Sequence, residues 1–230
     1  MNTFRSLFAV VATVILNFSV TSVSAQSSFE GIVTTEIKML EVPKGEEGME
    51  GLMNQTMTSY FKGGRSRIEM TSMGMNSIII SDQDKKEVTM LMDMLGQKIA
   101  MVMPMEEGSP SDSGMEFGYE GEKITMTNET KTISGYSCRK GIVQFEEGQM
   151  EVWFAESVKE FPMYDSRMPG VPIQYIVDED DMKMQITVKE IKSQSVPEKM
   201  FSVPSEYTVK SAGDMEQFMP FIQGAEEGED

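Results

Sequence analysis

The sequence predicts a mainly β protein: one antiparallel sheet, curled into a barrel or half-barrel, with one or two short helices. Three observations predict it. About ten to twelve short runs rich in β-branched and aromatic residues follow one another at hairpin-like spacing. Polar or glycine-containing turns separate them, the clearest being Gly63-Gly64. Methionine supplies 24 of the 230 residues and often recurs two apart, the spacing that puts side chains on one face of a strand.

Residues 29–39 (FEGIVTTEIKM) open the fold, Ile32 and Thr34 alternating against Val33, Thr35 and Ile37. Residues 43–54 are rich in glycine and glutamate and read as a loop. Residues 55–62 (QTMTSYFK) and 65–70 (RSRIEM) form a hairpin about Gly63-Gly64, because glycine adopts the positive φ that a two-residue turn needs. Ile78-Ile79-Ile80 marks a buried strand over 76–81, followed by a polar turn at 82–86. Residues 87–93 (EVTMLMD) and 97–103 (QKIAMVM) are two strands around Met94-Leu95-Gly96. The stretch 104–122, rich in Pro, Gly, Ser and acids, reads as a long loop or lid.

Residues 123–132 alternate Ile124, Met126 and Asn128 with Thr125, Thr127 and Glu129. They lead into a hairpin over 131–154 whose turn lies at Glu146-Glu147-Gly148-Gln149 and which holds the only cysteine, Cys138, and the only tryptophan, Trp153. A short helical turn is expected within 156–164. Strands follow at 172–177 (PIQYIV) and 182–191 (MKMQITVKEI), around an acidic turn at 178–181. Residues 197–201 read as a single helical turn, 215–222 as a short helix and 223–230 as an acidic disordered tail.

Residues 1–25 read as a cleaved signal peptide. Arg5 is the positive end, Leu7 to Leu16 the apolar run, and Val23-Ser24-Ala25 the small-residue cleavage pattern. Export to the periplasm or the extracellular space is the expectation, with residues 26–222 as a single β-rich domain. No later apolar run is long enough for a transmembrane helix, so an integral membrane protein is not expected. A lone cysteine cannot close an intramolecular disulfide, so the core must hold the fold.

The 37 acidic against 20 basic residues give a formal charge of −17, and cleavage removes a further base, Arg5. Such a surface repels nucleic acid and anionic headgroups. Histidine is absent, which removes Ser-His-Asp and Cys-His catalysis and the commonest zinc ligand. No Walker loop, dinucleotide fingerprint or Gly-x-Ser-x-Gly elbow occurs, and the acidic clusters lack EF-hand spacing. The chain reads as a non-catalytic binding protein with no cofactor and no metal assigned.

The candidate site is the methionine rows: Met90, Met92, Met101, Met103, Met182 and Met184, joined by Ile78. Four readings of so much methionine stay open. It replaces leucine in a packed core; it makes an adaptable wall for an apolar or amphipathic ligand such as a lipid or lipoprotein acyl chain; its thioethers gather Cu(I); or exposed methionines serve as sacrificial sites of oxidation. A structural envelope protein without a small ligand is a further alternative. Exposed edge strands would offer a route to a homodimer.

A resemblance enters at residues 131–140 (KTISGYSCRK), followed by the strand Glu151-Val152-Trp153. The pattern is similar to an uncharacterised, domain-of-unknown-function family of secreted bacterial proteins. Phe29-Glu30-Gly31, the run Tyr60-Phe61-Lys62 with Arg65-Ser66-Arg67, and the pair Pro197 to Phe201 and Val203 to Tyr207 fit it as well. That family is similar in turn to periplasmic lipoprotein carriers of the LolA/LolB type. The resemblance implies a half-barrel of antiparallel strands with a lid, holding acyl chains on its concave face.

Overall fold

The computed structural model describes residues 29–42, 54–72, 75–94, 97–105, 123–145, 148–158, 161, 168–179 and 182–211. Most of the stretch 104–122 that reads as a loop or lid, and the segments that read as a signal peptide, as a helix at 215–222 and as an acidic tail, lie outside the described residues. Of the helical turn expected within 156–164, residues 156–158 and Phe161 are described, and Glu156-Ser157 form a plain turn.

A single twelve-stranded sheet runs through the described chain. Its strands are β1 (Gly31–Glu41), β2 (Gln55–Lys62), β3 (Arg65–Ser72), β4 (Met75–Asp82), β5 (Glu87–Met94), β6 (Gln97–Pro104), β7 (Lys123–Ile133), β8 (Tyr136–Phe145), β9 (Gly148–Ala155), β10 (Val171–Glu179), β11 (Met182–Ser193) and β12 (Thr208–Ser211). In space they lie in the order β12-β6-β5-β4-β3-β2-β1-β11-β10-β9-β8-β7. β1 is central. On one side β2 to β6 meander away from it; on the other β7 to β11 meander back until β11 pairs with β1, Ile37 opposite Ile186.

Two hairpins turn on pairs of residues with positive φ, the geometry that matches the twist of the flanking strands. Gly63 and Gly64 have φ of 54° and 73°, and Ser134 and Gly135 have 51° and 86°. The hairpin expected over 131–154 is present as β8 and β9, paired from Phe145 opposite Gly148 to Arg139 opposite Phe154. The one strand that the sequence reading left unassigned, β12, is also the one parallel partner: Thr208 lies beside Ile99 and Ser211 beside Val102. Four residues of modest β character give little local signal. β12 forms because the preceding segment carries the chain to the edge of β6.

The sheet is open and curled, a half-barrel. Two strands separate β8 from β11, so a flat sheet would hold them roughly 14 Å apart. Yet the Tyr136 hydroxyl at the start of β8 accepts a hydrogen bond of 2.9 Å from the Ile191 N–H of β11. β8 runs beyond the end of β9 here, and the tip of the β7–β8 hairpin closes toward β11. Register shifts in β1–β11, β9–β10 and β7–β8 add the local bending that such a curl needs.

Both faces are used. On the outer face of β2 to β6, the segment Val196 to Tyr207, with its single helical turn Glu198–Phe201, lies as a strap over Ile80, Leu91 and Ala100. The inner face carries most of the described methionines; Met200, in the strap, packs on the outer one.

Candidate functional site

Residues opposite one another in a ladder share a face, so the registers sort the side chains. From β6 to β1, one row runs Ile99, Met92, Ser77, Met70, Met57, Thr35. The next runs Met101, Met90, Ile79, Ile68, Ser59, Val33. A third begins Met103, Val88, Ser81, Ser66, Phe61. The same face continues past β1 through Ile37, Ile186, Tyr175, Val152, Gly141 and Met126. Beside that row lie Met39 opposite Met184, and Met150 opposite Val143. Met182 is two residues from Met184 along β11. None of the residues in these rows is charged.

Six of the predicted site residues therefore share the inner face: Met90, Met92, Met101, Met103, Met182 and Met184. The seventh, Ile78, does not. It lies opposite Leu91 and packs in the outer cluster beneath the strap. Three isoleucines in a row cannot all face one way on a strand; Ile79 faces in, and its neighbours Ile78 and Ile80 face out. The six do not form one compact site. Met182 and Met184 pack with Met39, Ile37, Val143, Phe154 and Tyr175, whereas Met103 packs with Met57, Met70, Ile68 and Ile79.

Met39, Met57, Met70, Met126 and Met150 lie on the same face, and the sequence reading missed them. Each stands alone on its strand, so a rule based on pairs two apart passes over it. The alternation of residues 55–62, with Met57 in phase with Ser59 and Phe61, was the available signal. Burial along the face is uneven. Met57, Met70, Met101, Met39, Met182 and Met184 are buried, while Met90, Met92, Met103, Met126 and Met150 are half-buried.

The rare residues of the β8–β9 hairpin are structural. Cys138 is 1% exposed, and its thiol lies 3.4 Å from the Tyr136 carbonyl oxygen. Burial pushes its pKa up, away from the reactive thiolate. Trp153 is half-buried on the outer face, with the Lys131 ammonium 4.0 Å above its ring and hydrogen-bonded to Gln174 at 2.8 Å. Desolvation lowers the pKa of Lys131. Tyr175 is buried on the inner face, and burial pushes its phenol up beyond any physiological titration.

The strap is fastened by charge. Glu30 accepts the Val196 N–H at 2.7 Å and pairs with Lys62 at 3.1 Å. Lys62 also reaches the Val196 carbonyl at 3.0 Å and Glu198 at 3.2 Å. Arg65 pairs with Glu198 at 2.8 Å and lies 5.0 Å over the Phe201 ring, and Arg67 donates to the Met200 carbonyl at 3.2 Å. Three stretches far apart in sequence, those around Glu30, Lys62 to Arg67 and Glu198 to Phe201, thus form one clasp on the side away from the methionine rows.

The profile of a domain of unknown function, DUF4412, matches residues 29–168. The chain belongs to this family. Its matched region takes in β1 to β9 and the β8–β9 hairpin, and stops short of β10, β11 and the strap. No curated protein matches the chain. Among solved structures, it is similar to LprF from Mycobacterium bovis at 12% identity and a TM-score of 0.43, over 86% of this chain and 98% of that one. It is also similar to PNGF-II, at 11% identity and a TM-score of 0.39 in a C2 crystal and 10% and 0.37 in a P21 crystal. That likeness covers 82% of this chain and 32% of PNGF-II, so the chain spans about a third of that protein's length.

Proposed function

We propose that this DUF4412 protein is an exported, non-catalytic carrier or sensor that holds an apolar or amphipathic ligand, such as a lipid or lipoprotein acyl chain, against its inner face. One observation carries the reading. Eleven methionines from eight strands share a single, largely apolar face of a curled sheet, while the charged side chains of the clasp and of the Lys131 cluster sit on the other. Leucine would pack a fixed core as well. Methionine has three rotatable bonds and a polarizable sulfur, so a wall built of it can reshape around chains of different length and unsaturation. Its half-buried members, Met90 and Met92 on β5 and Met103 on β6, mark the part of that wall a ligand reaches first.

The test is a titration of the delipidated chain with a fluorescent fatty acid, competed by phospholipid. Saturable binding is expected. Met92→Glu places a carboxylate on the apolar wall and is expected to weaken binding at least about tenfold, or 1.4 kcal/mol. Failure of the unmodified chain to bind either probe sinks the reading. A parallel titration with Cu(I) under reducing conditions separates acyl-chain binding from capture of a soft metal by the same thioethers.

A further inference from the structure

We infer that the half-buried methionines of the inner face form an oxidation gate, at which a peroxide converts the apolar wall into a polar one and releases its ligand. The inference rests on the ligand reading above and assigns its regulation. The wall holds two populations of the same side chain. Met90 and Met92 on β5, Met103 on β6, Met126 on β7 and Met150 on β9 are half-buried. Their neighbours in the same rows are sealed: Met101, directly opposite Met90, is 4% exposed, Met57 1% and Met184 5%. Thioether oxidation needs only contact with the oxidant, because the sulfur carries no proton to lose and its reactivity does not depend on pKa.

The competing sulfur is out of play. Cys138 is 1% exposed in an apolar cluster, and burial keeps it in the thiol form, so it neither consumes the oxidant nor forms a disulfide. At each accessible methionine, a sulfur lone pair attacks one oxygen of hydrogen peroxide. The O–O bond breaks, the departing hydroxide takes the proton and leaves as water, and the sulfur, oxidised by two electrons, keeps one oxygen as the sulfoxide. The product is polar and accepts hydrogen bonds. Met92 has the Ser77 residue opposite it, but around Met90 and Met103 the rows offer no donor: Met90 lies between Ile79 and Met101, and Met103 lies opposite Val88. A sulfoxide there can be solvated only by admitting water to the wall, which an acyl chain in contact with it excludes. The buried methionines stay reduced and keep the sheet folded, so the gate acts on binding without unfolding the carrier.

The test treats the chain with limiting hydrogen peroxide and maps the added oxygens by peptide mass spectrometry. Met90, Met92 and Met103 are expected to oxidise before Met57, Met101 and Met184, with far-ultraviolet circular dichroism unchanged and fatty-acid affinity falling at least tenfold. A Met90→Leu, Met92→Leu, Met103→Leu variant, whatever its own starting affinity, is expected to lose most of that sensitivity, read as the ratio of its affinities before and after peroxide. Affinity that survives full oxidation of these three overturns the gate and leaves the ligand reading standing. Uniform oxidation of buried and half-buried methionines, or loss of binding only together with loss of β signal, also overturns it. If the reduced chain binds no fatty acid, the ligand reading fails and the gate with it.

Discussion

Two glycines show how closely single residues limit this sheet. At Gly141 on β8 a Cβ would stand 2.8 Å from the Phe154 ring and 3.0 Å from the Met126 sulfur. Phe154 is fully buried, but Met126 is half-buried and flexible, so one of the two obstacles can move. At Gly31 on β1 the obstacle is the Lys192 carbonyl oxygen of β11, which the added carbon would overlap, with the Phe29 ring at 2.6 Å. A backbone oxygen held in a ladder cannot step aside without opening the β1–β11 pairing that joins the two halves of the sheet. Gly31→Ala is therefore expected to destabilise the protein more than Gly141→Ala, which should cost about 1–3 kcal/mol, the usual range for overpacking a core. Urea unfolding of the two variants checks the ranking, and equal midpoints would mean that the seam yields as easily as the methionine does.

The strap is the element most exposed to pH. Glu30 is held below the ordinary carboxylate range, chiefly by the Val196 N–H and then by Lys62, and Glu198 is held below it chiefly by Arg65. Lowered carboxylate pKa values mean that the clasp contributes fully above the ordinary carboxylate range and is lost as pH falls through the lowered values. Lys62 works at the other end. Its pKa is raised, first by Glu30, so its contribution is complete below the ordinary lysine range and is lost as pH rises through the raised value. Amide protection at residues 196–211, corrected for intrinsic exchange, is expected to fall below about pH 4 while β8 and β9 remain protected. Simultaneous loss in both regions would show that the strap has no separate fastening. The clasp also shows what sequence could and could not reveal. Its pieces, Phe29-Glu30-Gly31, the Lys62 to Arg67 run and the Pro197 to Phe201 turn, stood out one by one as marks of the family resemblance. Their meeting could not be read, because Glu30 and Val196 are neighbours only after the whole sheet has formed. Strand existence was legible because alternation and turn residues are local signals. Which isoleucine of 78–80 faces in was not, because a continuous apolar run has no phase of its own.

For the whole molecule, the sheet order decides how copies of the chain meet. A curled sheet that stays open has two edges, here β12 and β7. β12 offers only four residues, Thr208–Ser211. β7 is longer, Lys123–Ile133, but its ladder with β8 breaks between Met126 and Thr130, and its described side chains there are polar and exposed: Asn128, Glu129, Thr130, Lys131 and Thr132. A register break bends the edge away from the straight geometry that a partner strand needs, and charge on the edge penalises pairing. The formal charge of −17 adds repulsion between copies at neutral pH. Edge-to-edge association was a route left open by the sequence; the structure of β7 argues against it. The protein is expected to be monomeric at micromolar concentration in light scattering after size exclusion. A Glu129→Val, Lys131→Val variant is expected to shift toward dimers, since it removes the charge while leaving the hydrogen-bonding edge. A dimeric parent protein whose dimer is dispersed by a Thr130→Pro substitution would show that β7 pairs in spite of its break, and the inner face would then need to be considered as a surface shared by two sheets.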